Sequence, residues 1–114
     1  MSEEKHIKSE TGEVLKYAEG KPSYSVLPYD ALEQVIKVFE YGAGKYGRPF
    51  TYRAGIPFSR LFESAMRHLV YWYYWHEDYD PETNCYHLAH AAANCLMLLT
   101  YLDKAKMDDR PEEI

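Results

Sequence analysis

The longest nearly apolar segment of the chain runs from Cys85 to Leu102 and reads CYHLAHAAANCLMLLTYL. A helix that is apolar on almost every side is a buried helix, and we predict one here that ends near residue 106. Three polar residues interrupt it, His87, His90 and Asn94, and at about 100° per residue they share one side. A buried imidazole or amide costs roughly 1–3 kcal/mol unless it is hydrogen-bonded. This side therefore needs partners, in either a purely structural network or a functional site.

Two earlier segments show the three-to-four-residue apolar spacing of amphipathic helices. The first opens at Pro28 and is predicted to end at the glycines between Gly42 and Gly47, and the second runs from about Phe58 to His76. We predict an all-α fold, a compact antiparallel bundle of about three main helices.

The flanking segments divide the chain into three predicted parts. Residues 1–20 are polar and are expected to be flexible or to form a hairpin, with a short strand in GEVLKYAEG that pairs with residues 24–27. Residues 21–106 form the helical domain, and residues 107–114 form a solvated tail. The turn before the third helix contains Asp80-Pro81, which is typical of a helix N-cap followed by the first helical residue.

Composition restricts the setting and the partners. The net charge of −5, without a Lys/Arg stripe, argues against a nucleic-acid polymer as the partner but leaves a nucleotide open. No apolar run is long enough for a membrane span, and the charged first residues do not resemble a signal peptide. Cys85 and Cys95 lie about 15 Å apart on one predicted helix and cannot pair within it. We expect a reduced, cytoplasmic protein.

The aromatic segment YWYYW at residues 71–75 is too wide for one small core. Part of it is expected to meet a second subunit or a flat ligand. We therefore predict a homodimer or a larger even-numbered homo-oligomer.

Folding the second and third helices as an antiparallel hairpin places Asn94 near His68 and His90 near Trp72. The same register places His87 near Trp75. A slip of one turn would change each pair.

Folding the first helix onto the second places Glu40 near Glu63 and Arg67. The acidic turn at residues 77–82 then lies at the open end of the bundle, beyond His87. Carboxylates are natural ligands for Mg²⁺, which keeps water and substrate phosphates in its shell. Lys45 and Arg67 are candidates for binding phosphate oxygens, and a tryptophan or tyrosine for stacking on a base.

Five motifs in order resemble the phage dATP/dGTP diphosphohydrolase family: KPSYSVLP, YGAGKYG, GIPFSRLFESAMRHL, EDYDPET and HLAHAAAN. The resemblance covers about residues 20–103. The chain is also similar in logic to MazG-like all-α nucleotide pyrophosphohydrolases. The resemblance implies metal-dependent hydrolysis of a purine deoxynucleoside triphosphate, dGTP or dATP, to the monophosphate and pyrophosphate. It also implies an oligomer and, in phages that use 2-aminoadenine, a supply of dGMP.

The candidate residues follow from the register and the resemblance together. The candidate catalytic residues are His68 and His87; the candidate substrate-binding residues are Lys45, Arg67, Trp72, His90 and Asn94; and the candidate metal ligands are Glu40, Glu63, Glu77 and Asp80. The expected cofactor is Mg²⁺, with Mn²⁺ as the alternative.

Two departures from the family pattern bear on these roles. The loop after Lys45-Tyr46-Gly47 reads RPFTYRAG and lacks an Asn-Trp pair that the family usually shows, which affects base preference. The acidic helix motifs of MazG-like enzymes are absent, so the metal ligands must come from a different set.

Two alternatives stay open at this stage. The chain could be a metal phosphohydrolase that releases phosphate or triphosphate, as its histidine-rich face suggests. It could instead be a helical nucleotide-binding or interaction module without turnover, although such a module has no need for an acidic set beside His68.

Overall fold

The computed structural model describes residues 6–8, 14–16, 20–101 and 103–112. Its main elements are strands β1 (His6–Lys8) and β2 (Val14–Lys16) and helices α1 (Tyr29–Tyr46), α2 (Phe58–Tyr73) and α3 (His87–Thr100). Short 3-10 segments lie at Tyr24–Val26, Thr51–Ala54 and Ala105–Met107. The predicted bundle of three main helices is confirmed. Among the described residues, no helix combines the length and hydrophobicity that a membrane crossing requires.

The N-terminal strands form an antiparallel hairpin in which Ile7 is paired with Leu15. The predicted strand within residues 12–20 is present as β2. Its expected partner was wrong, because residues 24–26 form a 3-10 helix and β2 pairs with β1. Residues 1–5, 9–13 and 17–19 lie outside the described part of the chain.

Helix α3 lies at the centre of the bundle, as its almost uniformly apolar sequence predicted. Ala89 and Ala93 are buried with Val35 of α1 in one apolar cluster. Asn94 and His87 are buried against α2. Small side chains on α3 allow the neighbouring helices to approach closely, so α3 contacts both of them.

Helix α1 ends within the glycine segment that was predicted to stop it. Gly42 and Gly44 lie inside the helix, and only Gly47, with a φ of 78°, follows its last turn in the left-handed conformation. This is the conformation that glycine adopts without strain at a helix C-terminus. Lys45 therefore lies on the last helical turn and not in a flexible loop.

Helix α3 begins later and ends earlier than predicted. The Asp80 side chain accepts a hydrogen bond from the Glu82 N–H (2.9 Å), and the Asp80 N–H donates to the Cys85 carbonyl (2.8 Å). Asn84, at a φ of 60°, reverses the chain direction. Asp80-Pro81 therefore opens a turn, helix α3 starts at His87, and it ends at Thr100 instead of near residue 106.

The segment after α3 returns to the start of α2. Asp109 accepts hydrogen bonds from the Ser59 backbone N–H (2.8 Å) and hydroxyl, which satisfies a free donor of the first turn of α2. The Arg110 guanidinium lies 5.5 Å from the Phe58 ring centroid. The exposed residues 108–110 thus contact the N-terminus of α2.

Gly55 provides a test of this arrangement, because its φ is 102° and a Cβ there would lie 2.9 Å from Met107 Sδ. Gly55→Ala is expected to lower the free energy of unfolding by roughly 1–3 kcal/mol, mainly through backbone strain. Gly44→Ala, in open space inside α1, should instead raise it by up to about 1 kcal/mol. Urea unfolding of both variants measures the difference. Equal stability of the two would contradict the backbone conformation at Gly55.

Candidate functional site

Two buried histidines from different helices face each other at the centre of the site. The Nδ1 atoms of His68 on α2 and His87 on α3 are 2.8 Å apart. The other ring nitrogen of His87, Nε2, lies 2.6 Å from Glu77 Oε1, in the loop between these helices. Glu77 thereby orients the His87 ring and favours a proton on Nε2, so that His87 Nδ1 accepts a hydrogen bond from the Nδ1–H of His68.

A third imidazole stacks on this pair. The His90 ring lies 4.4 Å from the His68 ring at an interplanar angle of 6°. Its Nε2 is 2.7 Å from the Thr83 hydroxyl and 3.6 Å from Asp80 Oδ2. The loop at residues 79–86 thus holds a carboxylate and a hydroxyl over the imidazoles.

The polar side of α3 is fully satisfied, but its partners differ from the predicted ones by one helical turn. Asn94 donates to the hydroxyl of Ser64 (3.0 Å) and not to His68, and His90 meets His68 and not Trp72. His87 packs against the Tyr71 ring. The shift arises because α2 ends at residue 73 and a long irregular loop, not a tight turn, leads to α3. In the described part of the chain, every buried side-chain nitrogen and oxygen has a hydrogen-bond partner.

A potential metal-binding set lies within this network. One ligand atom each from His68, Asp80 and His87 fall within 4.8 Å of one another; we call these three residues the donor cluster. Of the four predicted metal ligands, the structure brings only Asp80 into it. Glu77 binds a cluster histidine from outside, whereas Glu40 and Glu63 are exposed and are not part of it.

A cavity of about 660 Å³ opens beside the donor cluster. It brings together six of the predicted site residues: Lys45, Arg67, His68, Asp80, His90 and Asn94. Trp72, predicted to bind substrate, is not among the lining residues and packs near Tyr73 on the outer side of α2.

Sequence reasoning missed the aromatic and hydroxyl groups of this cavity. Tyr41, Tyr46, Phe50 and Tyr52 line its end near the C-terminus of α1. Thr83 lines the opposite part through its contact with His90. The signal for Thr83 was its place directly after the acidic turn at residues 77–82.

Comparison with known proteins now identifies the family. A family model described as dATP/dGTP diphosphohydrolase, N-terminal, matches residues 11–110. The chain belongs to this family. The match includes every residue of the donor cluster and every predicted substrate-binding residue.

One curated relative within this dATP/dGTP diphosphohydrolase family is a protein of that name from Salmonella phage PMBT28. The two are 31% identical over 97 residues, which cover 84% of this chain and 32% of the relative. The chain therefore spans about a third of the length of the curated relative. No solved structure matches the chain significantly.

The environment of this family member's site keeps its central imidazole uncharged. Burial, with the neighbouring His90, Arg67 and His87, lowers the pKa of His68 to about 4, and Asp80 opposes this only in part. Burial also lowers the pKa of His90, against the opposing effect of Asp80. Near neutral pH, His68 therefore has a free lone pair for a proton or a metal ion.

The lowered pKa of His68 predicts how stability depends on pH in protein treated with a chelator. Between about pH 6.5 and pH 4 the unfolded chain binds a proton that the folded chain excludes, so stability rises with pH across this window. Below about pH 4 the folded and the unfolded chain both bind this proton. The stability that His68 adds at higher pH is then absent, and the slope disappears. Thermal unfolding measured at pH 4–7 should show this slope, and His68→Gln should reduce it. An unchanged slope in that variant would contradict the assignment to His68.

Proposed function

We propose that the chain carries the active site of a metal-dependent purine deoxynucleoside triphosphate pyrophosphohydrolase. The substrate is dGTP or dATP, and the products are the nucleoside monophosphate and pyrophosphate. One observation carries the proposal: a single cavity is lined by two cations, Lys45 and Arg67, and also by His68, His90 and Asp80. The family membership supports the substrate class.

The cations suit the triphosphate. Arg67 lies on α2 one residue before the buried His68, so a phosphate bound by its guanidinium would lie beside the donor cluster. An arginine can bind two phosphate oxygens with its planar fork. Lys45, on the last turn of α1, offers a second and more mobile charge at the same cavity.

The aromatic end of the cavity suits a purine. The rings of Phe39 and Tyr52 pack edge to face with their centroids 5.3 Å apart, and the Phe50 ring centroid lies 6.5 Å from that of Tyr52. This group lies on the α1 side of the cavity, near Lys45. This group, and not Trp72, is the candidate for the base stacking that was predicted for a tryptophan or tyrosine.

The imidazoles suit the activation of water. Neutral His68 offers a lone pair at the cavity wall, and His90, hydrogen-bonded to Thr83, can carry a proton beside it. A divalent ion held by the donor cluster would supply a polarised water and neutralise phosphate charge. The residues fit such an ion, since two imidazoles and a carboxylate each offer one ligand atom within 4.8 Å of the others.

Cleavage between the α- and β-phosphates distinguishes this proposal from its alternatives. Incubation of the chain with dGTP or dATP and a divalent metal should give the monophosphate and pyrophosphate, resolved by ion-exchange chromatography. Recovery of the diphosphate, or of nucleoside and triphosphate, would support the other phosphohydrolase. Binding without any product would support the non-catalytic module. In a phage that uses 2-aminoadenine, the dGMP formed would supply that pathway.

A matched pair of arginines on α2 serves as the control for this assay. Arg67→Lys keeps the charge but loses the fork, and loss of one charged hydrogen bond of about 1.5–3 kcal/mol lowers kcat/KM by roughly ten- to hundredfold. Arg60→Lys, outside the cavity lining, should leave kcat/KM unchanged. Equal effects of the two substitutions would remove Arg67 from the site.

We also propose that the protein is a homodimer or a larger even-numbered homo-oligomer. An apolar stripe runs along α2, formed by Phe62, Met66, Leu69 and Tyr73 at spacings of four, three and four residues. Their exposed fractions are 57%, 43%, 38% and 64%. Apolar surface of this kind marks an interface between proteins, and a second copy supplies a matching stripe by two-fold symmetry.

Light scattering at micromolar concentration is expected to give at least twice the chain mass of 13.4 kDa. Met66→Glu places a charge within the stripe and should yield monomers. Lys37→Glu, on an exposed position of α1, should leave the assembly intact. A monomeric wild-type protein would refute the proposal.

A further inference from the structure

We infer that the donor cluster is a binding site for a first-row transition-metal ion, and not primarily a magnesium site. The inference rests on the proposed metal-dependent function and specifies the class of ion. Mg²⁺ prefers oxygen ligands and keeps several waters. His68 and His87 instead contribute nitrogen, and only Asp80 contributes oxygen. Imidazole ligands favour ions such as Fe²⁺, Co²⁺, Ni²⁺ and Zn²⁺.

The spacing of the two histidines suits a shared ion. Two nitrogen ligands that each lie about 2.1 Å from one ion are separated by roughly 3 Å, and the two Nδ1 atoms are 2.8 Å apart. An ion between them would replace the shared proton, which His68 would then carry on Nε2. Both rings are almost completely buried, with 5% and 1% exposure. The rings are therefore held in place before an ion binds.

The surroundings complete a familiar ligand arrangement. The Nε2 of His87 faces Glu77 at 2.6 Å, as in the carboxylate–histidine–metal arrangement that fixes the tautomer and raises ligand basicity. Asp80 Oδ1 is engaged by the Glu82 N–H, which holds the carboxylate in the loop above the rings.

Two imidazoles and one carboxylate leave further coordination positions open, which is the pattern of a catalytic rather than a structural site. The cavity with Arg67 and Lys45 lies on the side of Asp80 and His68. Phosphate oxygens and water can therefore reach the ion from the cavity. In this arrangement His68 and His87 serve as ligands, and His90 is the imidazole left to carry a proton.

The test is calorimetric titration of the 114-residue chain, free of any histidine tag, stripped of metal and without nucleotide. One Co²⁺ should bind per chain at least a hundredfold more tightly than Mg²⁺. His68→Gln, His87→Gln and Asp80→Asn should each weaken Co²⁺ binding by at least the roughly 10–100-fold that loss of an outer-shell partner costs. His76→Asn is the matched control, since His76 is exposed, has a φ of 54° that asparagine tolerates, and lies outside the cluster.

Thermal unfolding of each metal-free variant separates loss of ligand from loss of fold. Asp80→Asn keeps the oxygen that accepts the hydrogen bond from the Glu82 N–H, so this variant should fold. It therefore tests the metal site even if the two histidine variants do not fold. Mg²⁺ binding as tight as that of Co²⁺, or Co²⁺ binding unchanged in a folded Asp80→Asn, would overturn the inference.

The failure of this inference and of the proposed function are distinguishable. Site-specific Co²⁺ binding without hydrolysis of dGTP or dATP would overturn the function and leave the metal site standing. Hydrolysis of dGTP or dATP with Mg²⁺, together with Co²⁺ binding that Asp80→Asn leaves unchanged, would overturn the metal site alone.

Discussion

The structure depends on the need to bury a helix that carries polar groups on one side. Leaving His87, His90 and Asn94 without partners would cost several kcal/mol, a large part of the stability of a small domain. Hydrogen bonds from α2 and from the loop before α3 remove that cost. The position of α2 and the course of the loop are therefore tied to the same few side chains.

This constraint explains why the loop before α3 is irregular and yet well defined. The turn closed by Asp80 and Cys85 places Thr83 and Asp80 above His90, while Glu77 reaches His87. A tight helical hairpin would hold these carboxylates away from the imidazoles. The loop thus satisfies the polar side of α3 and also assembles the donor cluster.

A purely structural network accounts for the buried hydrogen bonds but not for their surroundings. A structural network has no need for a cavity of about 660 Å³ beside it, nor for Arg67 and Lys45 on the cavity wall. Burial also keeps His68 neutral, which costs stability at low pH and benefits a ligand or proton acceptor. The combination supports a site that binds an anionic substrate next to a metal ion.

The sequence by itself determined the three helices, the central place of α3 and the identity of its polar side, because these follow from hydrophobic periodicity along one segment. It also indicated His68, Asp80, His87 and Arg67 as members of one site. Tertiary structure decided the register between α2 and α3, because that depends on where each helix ends and on the path of the loop between them.

Local spacing could not show that the helices would meet one turn away from the predicted register. The same reason leaves Glu40 and Glu63 on the surface: a position on a helix face does not reveal which neighbour that face meets. The contacts of Thr83 and Ser64 were likewise decided only in three dimensions. Each joins a residue of helix α3 to a residue outside that helix.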